Sequence, residues 1–285
     1  MSAWAADVSA GAPQPPPEVA AYYAAFAEEE RLATGASRLE FERTKEMLSR
    51  LLPPPPARVV DVGGAAGVYS LWLADQGYDV HLVDASERLV EEARRRNANR
   101  PRPIASLTVG DARSLPHDDA SAAAVLVLGP LYHLTEEPDR LAALREAFRV
   151  LAPKGVVAAA AISRYASALA GLAQKLSLDP RFVEIRNQDL ASGQHRNTTD
   201  RIDYFTTSYF HRPEDLRAEL QRAGFDAVQV LGIEGLGEWL PDFDERWEDP
   251  RLRHDLMDVA RRLEAEPSII GASAHLLGIG RKADS

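Results

Sequence analysis

Apolar residues recur at three- and four-residue spacings among charges from Glu18 to Leu52: Tyr22, Tyr23 and Phe26, then Leu39, Phe41, Met47, Leu48 and Leu51. That period predicts helix. Pro53-Pro54-Pro55-Pro56 must end it, because proline lacks the N–H that continues a helix. The pattern then alternates. Short apolar runs at Arg58–Val62, Asp79–Asp84, Ser106–Val109, Ala123–Leu128 and Val156–Ile162 predict strands. Helical segments at Val68–Gln76, Glu87–Asn99 and Asp139–Leu151 lie between them, the second with Ser86 placed as an N-cap.

Five strands that are apolar on both faces and separated by helices predict a parallel sheet covered on both sides, a doubly wound α/β fold. The rhythm breaks after Ile162. Residues 163–208 carry a helix around Leu169–Leu178 and the polar stretch Gln194–Asp203, and read as an insertion over the sheet. It resumes with a helix at Arg212–Gly224, a strand at Ala227–Ile233, a helix at Arg251–Ala265 and a strand at Ala274–Gly280. The expected organisation is a disordered, Ala/Pro/Ser/Gly-rich 1–17, a helical 18–55, a core of 56–162 and 209–285, and the inserted 163–208.

Composition narrows the classes of function. The 285 residues are 45% hydrophobic and 27% charged, ordinary for a globular chain with a sizeable core. A net charge of −10 supplies no global field for a phosphate backbone, so nucleic acid is not an expected partner. The absence of cysteine removes disulfides, thiolate catalysis and cysteine-ligated zinc. No apolar run approaches the roughly 18 residues of a membrane span. Met1-Ser2-Ala3-Trp4-Ala5-Ala6-Asp7 has no basic region of the secretory kind, so the expected location is cytoplasmic. The histidines show no H-x-x-x-H or H-E-x-x-H spacing, and Asp118-Asp119 and Asp242-Asp244-Glu245 read as acidic surface turns, so no metal is expected. Oligomeric state is open.

The chemistry gathers at strand ends. Val60-Asp61-Val62-Gly63-Gly64-Ala65-Ala66-Gly67 joins the first strand to its helix, and small residues there let backbone N–H groups approach a ligand. The loop does not fit the dinucleotide spacing G-x-G-x-x-G. It resembles D-x-G-x-G-x-G, the first motif of the class I S-adenosylmethionine-dependent methyltransferases, with Asp61, Gly63 and Gly67 matching and Ala65 in place of the middle glycine. Asp84 ends the second strand, and Asp111 ends the third in Val109-Gly110-Asp111-Ala112. A carboxylate at Asp84 suits two ribose hydroxyls, as it would equally in an NAD site. Leu144–Gly155 is similar to the family's R-x-L-K-P-G-G turn, and residues 56–162 and 212–281 to its core.

The resemblance implies a mostly parallel seven-stranded sheet, with the last two strands an antiparallel pair at its edge. It implies S-adenosylmethionine as cofactor and S-adenosylhomocysteine as product. The expected cofactor contacts are Asp61, Gly63, Gly64, Ala65 and Gly67, then Asp84, Ala85, Asp111, Ala112 and Leu128, with Arg43 on the methionine carboxylate. Residues 18–55 are expected as a helical lid and 163–208 as a cap over the acceptor pocket.

The fourth strand ends Leu128-Gly129-Pro130-Leu131-Tyr132-His133, which is not the Asn/Asp-Pro-Pro-Tyr/Phe motif of enzymes that methylate base amino groups. A small-molecule acceptor, methylated on oxygen or nitrogen, is therefore expected. Tyr132, His133 and His211 are the candidate catalytic residues, His133 as a base because imidazole titrates near neutral pH. Tyr22, Tyr23, Arg164, Tyr165 and Tyr209 are the candidate acceptor contacts. His275, within the last strand, reads as a core histidine. An NAD(P)-dependent oxidoreductase and a catalytically silent methyltransferase-like binding protein are the alternatives at this stage.

Overall fold

Valine-rich β1 (Arg58–Val62) lies in the middle of a mixed sheet, hydrogen-bonded in parallel to β2 (Asp79–Asp84) on one side and β4 (Ala122–Val127) on the other. The computed structural model describes residues 17–25 and 31–284; the disorder expected for 1–17 (save Pro17) and the helical position of Phe26 lie outside the described residues. β3 (Ser106–Val109) pairs in parallel with β2, and β5 (Leu151–Ser163) with β4. Beyond β5 the direction changes: β9 (His275–Arg281) runs antiparallel to β5, and β8 (Asp226–Gly232) antiparallel to β9. These seven strands have the order β3-β2-β1-β4-β5-β9-β8, with the expected antiparallel pair at the edge.

Alternate residues of the strands feed two apolar layers. Val59, Ala124, Leu126 and Ala158 pack under α2 (Ser37–Leu51), α3 (Val68–Asp75) and α4 (Glu87–Asn97), through Met47, Leu48, Leu73 and Val90. Val60, Val62, Val125, Val127 and Ala159 face α6 (Glu137–Val150) and α9 (Pro213–Arg222), through Leu144, Val150, Leu216 and Leu220. Period-2 alternation between two helical layers is what makes both faces of the central strands apolar, Asp61 of β1 excepted. Ser86 caps α4 as expected, its hydroxyl accepting from the Leu89 N–H at 3.4 Å.

Three departures from the sequence expectations matter for the site. The predicted 18–52 helix is broken: α1 (Pro17–Ala25) is separate from α2, which follows a turn at Gly35 with φ +51°. β5 begins at Leu151 rather than Val156. The insertion is built of α7 (Ala166–Ala173), α8 (Pro180–Ser192) and a hairpin, β6 (Gln194–His195) and β7 (Ser208–His211), which raises the sheet from seven strands to nine. β7 adds in parallel to Ile162 and Ser163, at the carboxyl end of β5 beyond Ala159, the last residue that pairs with β4, and on the edge opposite β9. That placement sets the insertion over the mouth of the sheet. The short α5 (Pro130–His133) follows β4, and α10 (Phe243–Glu248) and α11 (Pro250–Leu263) pack on Leu39 of α2 through Phe243, Trp247 and Leu256. Among the described residues no helix is long and apolar enough to cross a membrane.

Candidate functional site

The carboxyl ends of β1 to β4 surround a cavity of about 820 Å³. Asp61, Gly63, Gly64 and Ala65 line it from β1, Asp84 and Ala85 from β2, Asp111 and Ala112 from β3, and Leu128 from β4. Those nine expected contacts converge although they lie on four separate loops. Gly67 does not line the cavity; with φ +79° it turns the chain into α3. Gly63 has φ +70°, and a Cβ on it would lie 2.5 Å from Pro130 Cδ, so a side chain is excluded by both conformation and space. Ala65, in the place of the middle glycine, also adopts a left-handed φ of +48°. Its N–H donates to Asp84 Oδ2 at 2.8 Å, and the Ser86 N–H donates to Asp84 Oδ1 at 2.8 Å.

The carboxyl groups are strongly differentiated. Asp61 is buried, accepts from Ser70 Oγ at 2.6 Å through Oδ2, and has no partner for Oδ1 among the described residues. Burial pushes its carboxyl up to about 6, against the Ser70 bond and with help from Asp84. Asp84 is likewise raised by burial, against its two backbone N–H donors. Asp111 is held by the Arg113 guanidinium at 2.8 Å, and Arg113 also reaches Asp139 at 3.1 Å. A buried acceptor oxygen without a donor, a glycine cradle and two carboxyls that lack counter-charges fit a ligand rich in hydroxyl and cationic nitrogen groups. S-adenosylmethionine has that chemistry.

A second cavity of about 240 Å³ lies beside the first, and Tyr23, Arg31 and Tyr132 line both. Its wall is mainly aromatic: Tyr22, Tyr132, Phe182, Phe205, Phe210 and Trp239 contribute from five segments of the chain. α1 is held over the pair of cavities. Thr206 Oγ1 donates to the Glu18 carbonyl at 3.2 Å, the Tyr22 and Phe205 rings meet edge to face at 5.2 Å, and Arg88 donates to the Tyr23 carbonyl. Tyr23 Oη lies 2.8 Å from His133 Nε2.

His133 lines the larger cavity, as expected from its position after β4. Its electrostatics are those of a weak proton acceptor. Burial lowers the imidazole to about 4, despite the Thr207 carbonyl 3.4 Å from Nδ1, so the ring is neutral at pH 7. A carbonyl can only accept, so Nδ1 carries the proton and Nε2 accepts from the Tyr23 hydroxyl.

Several expected site residues lie elsewhere. Arg43 is fully buried on the inner face of α2, bonded to Glu46 at 2.6 Å, to Glu264, and to the Ile233 carbonyl at 3.3 Å; it lines neither cavity. His211 is buried against Glu219 at 3.2 Å, and burial lowers its ring despite that partner. Along β7 side chains alternate, so Phe210 enters the second cavity while Tyr209 turns away, under the Arg140 guanidinium at 3.7 Å. Arg164 follows that opposite face, with Nε donating to the Phe210 carbonyl at 2.8 Å and its guanidinium 3.5 Å from Asp215. Tyr165 is partly exposed, packs on Gly271, and lines neither cavity.

The sequence reading missed a charged cluster between the cavities and β9. Arg31 clasps Glu40 with bonds of 2.6 and 3.1 Å. Glu234 accepts from His275 Nδ1 at 2.5 Å and from Ser273 Oγ at 2.7 Å, and Glu40 stands 3.8 Å from the same imidazole. Burial alone would lower His275, but Glu40 and Glu234 push it up to about 10, so it is an imidazolium. Burial would raise Glu40, yet Arg31 and His275 hold it down at about 2. His275 is therefore a cavity residue rather than a core one. The only sequence signal was Glu234-Gly-Leu-Gly-Glu238-Trp239, two carboxyls close together just past the eighth strand.

Residues 59–155 match the family described as methyltransferase domain. The chain is 34% identical over 132 residues to demethylmenaquinone methyltransferase of Beutenbergia cavernae, covering 46% of this chain and 50% of that one. It is 32% identical over 192 residues to malonyl-[acyl-carrier protein] O-methyltransferase of Geobacter sulfurreducens, covering 66% and 62%. The chain thus spans about half the length of the first curated relative. Among solved structures, a SAM-dependent methyltransferase from Methanosarcina mazei superposes with a TM-score of 0.56 at 16% identity, over 84% of this chain and 98% of that one, a likeness of fold.

Proposed function

We propose that the chain, whose residues 59–155 match a methyltransferase domain, is a class I S-adenosylmethionine-dependent methyltransferase that methylates an oxygen or nitrogen of a small molecule held in the aromatic cavity. One observation carries this reading: the two cavities share Tyr23, Arg31 and Tyr132, so a donor in the larger and an acceptor in the smaller meet at a common wall. The bound cofactor supplies a methyl group already activated on a sulfonium.

In this reading the chain's own task is alignment and exclusion of water. Asp84 accepts the ribose hydroxyls while anchored by the Ala65 and Ser86 N–H groups. Asp61 Oδ1 accepts from the amino-acid end, Asp111 and Ala112 bracket the adenine, and Leu128 supports the ring. α1 serves as the lid and 163–208 as the cap, and Tyr22, Tyr23 and Phe205 seal the acceptor from solvent. His133 is a positioning residue: neutral and engaged at Nε2, it holds Tyr23 rather than taking a proton. Malonyl-[acyl-carrier protein] and demethylmenaquinone are named as substrates of relatives, and both names are consistent with an acceptor other than nucleic acid.

The test is calorimetric titration with S-adenosylmethionine, S-adenosylhomocysteine and NAD, followed by mass spectrometry of acceptor mixtures for a gain of one methylene mass. Adenosyl binding together with a methylated product supports the reading. NAD binding in their place sinks it, and adenosyl binding without turnover on any acceptor leaves a binding protein.

A further inference from the structure

Among the described residues, the charged cluster beside the aromatic cavity holds one carboxyl more than it has cations. Arg31 is matched by Glu40, and the His275 imidazolium by Glu234. Glu238 is the remainder. It lines the second cavity next to Trp239 and His275, and its Oε2 is buried without a hydrogen-bond partner among the described residues. Among the described residues a carboxylate ligand has no open cation to meet here, because Arg31 and His275 already face carboxylates. A divalent ion on Glu40, Glu234 and His275 would have to displace the proton that His275 holds between the two acids.

From this surplus carboxyl and the aromatic walls around it, we propose that the acceptor cavity selects molecules bearing a basic amine, and that Glu238 is the residue that selects them. The inference rests on the methyl-transfer reading and specifies its substrate class. An ammonium supplies the missing counter-charge, and a wall containing Tyr22, Phe205 and Trp239 suits the same group, because aromatic rings attract cations. Glu234, Glu40, His275 and Arg31 face Glu238. Burial, then Glu234 and Glu40, push its carboxyl up to about 8 against the pull of His275 and Arg31, so the empty cavity holds it as the neutral acid. Capture of an ammonium then ionises Glu238: the acid's O–H bond breaks, the carboxylate pairs with the ammonium, and one proton leaves to solvent. The amine is the handle by which the molecule is held, whichever of its atoms receives the methyl group.

The experiment titrates the full chain, saturated with S-adenosylhomocysteine, with three probes of one shape: phenethylamine, 2-phenylethanol and 3-phenylpropanoate. Phenethylamine should bind at least about tenfold more tightly than either of the others, the scale of a hydrogen bond to a charged group. Repeating it at pH 7 in buffers of different ionisation enthalpy should give release of about one proton per amine, vanishing at pH 9. Glu238→Gln should erase both the preference and the release. Equal or tighter binding of the alcohol or the acid, no proton release, or no binding of phenethylamine overturns the inference without any variant. Failure of S-adenosylhomocysteine to bind in the first step instead overturns the methyl-transfer reading, so the two failures are distinguishable.

Discussion

Tyr23 on α1 donates its phenol proton to Nε2 of His133 across 2.8 Å, joining the N-terminal helix to the loop after β4, 110 residues away in sequence. His133 is neutral and buried, so the bond satisfies an acceptor that has little access to water. In the proposed reading the pair closes the site more than it moves protons.

Replacing Tyr23 with Phe removes that donor and leaves His133 Nε2 unsatisfied. Closure of α1 should weaken, with S-adenosylhomocysteine binding about tenfold less tightly and the melting temperature lowered by a few degrees. Calorimetry beside a thermal melt checks it; unchanged affinity would mean that α1 does not close the cavity.

Asp84→Ala should lower cofactor affinity by the ~1–3 kcal/mol typical of a charged hydrogen-bond partner left without its mate. The Ala65 and Ser86 N–H groups lose their acceptor in the same step. A dissociation constant equal to wild type would show that the ribose is not at Asp84.

Cofactor affinity should depend on pH through Asp61. Its carboxyl titrates at about 6 in the free protein, and a cationic amino group prefers the ionised form. Binding of S-adenosylhomocysteine should thus be flat above pH 6 and weaken by about tenfold per unit as pH falls below it. Asp61→Asn should flatten the curve, and a flat wild-type profile removes Asp61 from the amino-acid end.

Ala65 occupies a left-handed conformation that costs an L-residue ~1–2 kcal/mol. Glycine loses roughly 0.5–1 kcal/mol of chain entropy in exchange. Ala65→Gly should accordingly raise the melting temperature by a few degrees at most, and Ala65→Val should lower it clearly. A fall on introducing glycine would refute the strain argument.

Arg43→Ala separates stability from binding. It leaves Glu46 and Glu264 without their buried partner, and both acids are partly exposed, so the expected loss is about 2–3 kcal/mol, below that of a fully buried pair. Affinity for S-adenosylhomocysteine should stay at the wild-type level. A selective loss of affinity in urea-stable protein would restore Arg43 to the cofactor site.

The sequence alone determined the doubly wound core and the strand-end lining of the larger cavity. Strand periodicity is local, and ligands in such a sheet gather at strand ends, so Asp61, Asp84 and Asp111 could be placed by counting from each apolar run. There, Gly67 and Arg43 misled, because a turn-forming glycine and a buried structural arginine look like contacts until their neighbours are known. The smaller, aromatic cavity was decided by tertiary structure. Which face of β7 meets the cavity depends on its two-residue pairing with Ile162 and Ser163, and a shift of one residue would exchange Tyr209 for Phe210. The cluster of Arg31, Glu40, Glu234, Glu238 and His275 comes from α2, the segment before it, and the β8–β9 region. Charge pairing between segments some 200 residues apart leaves no periodic trace in either, and the burial that raises Glu238 exists only once the aromatic cap has folded over it.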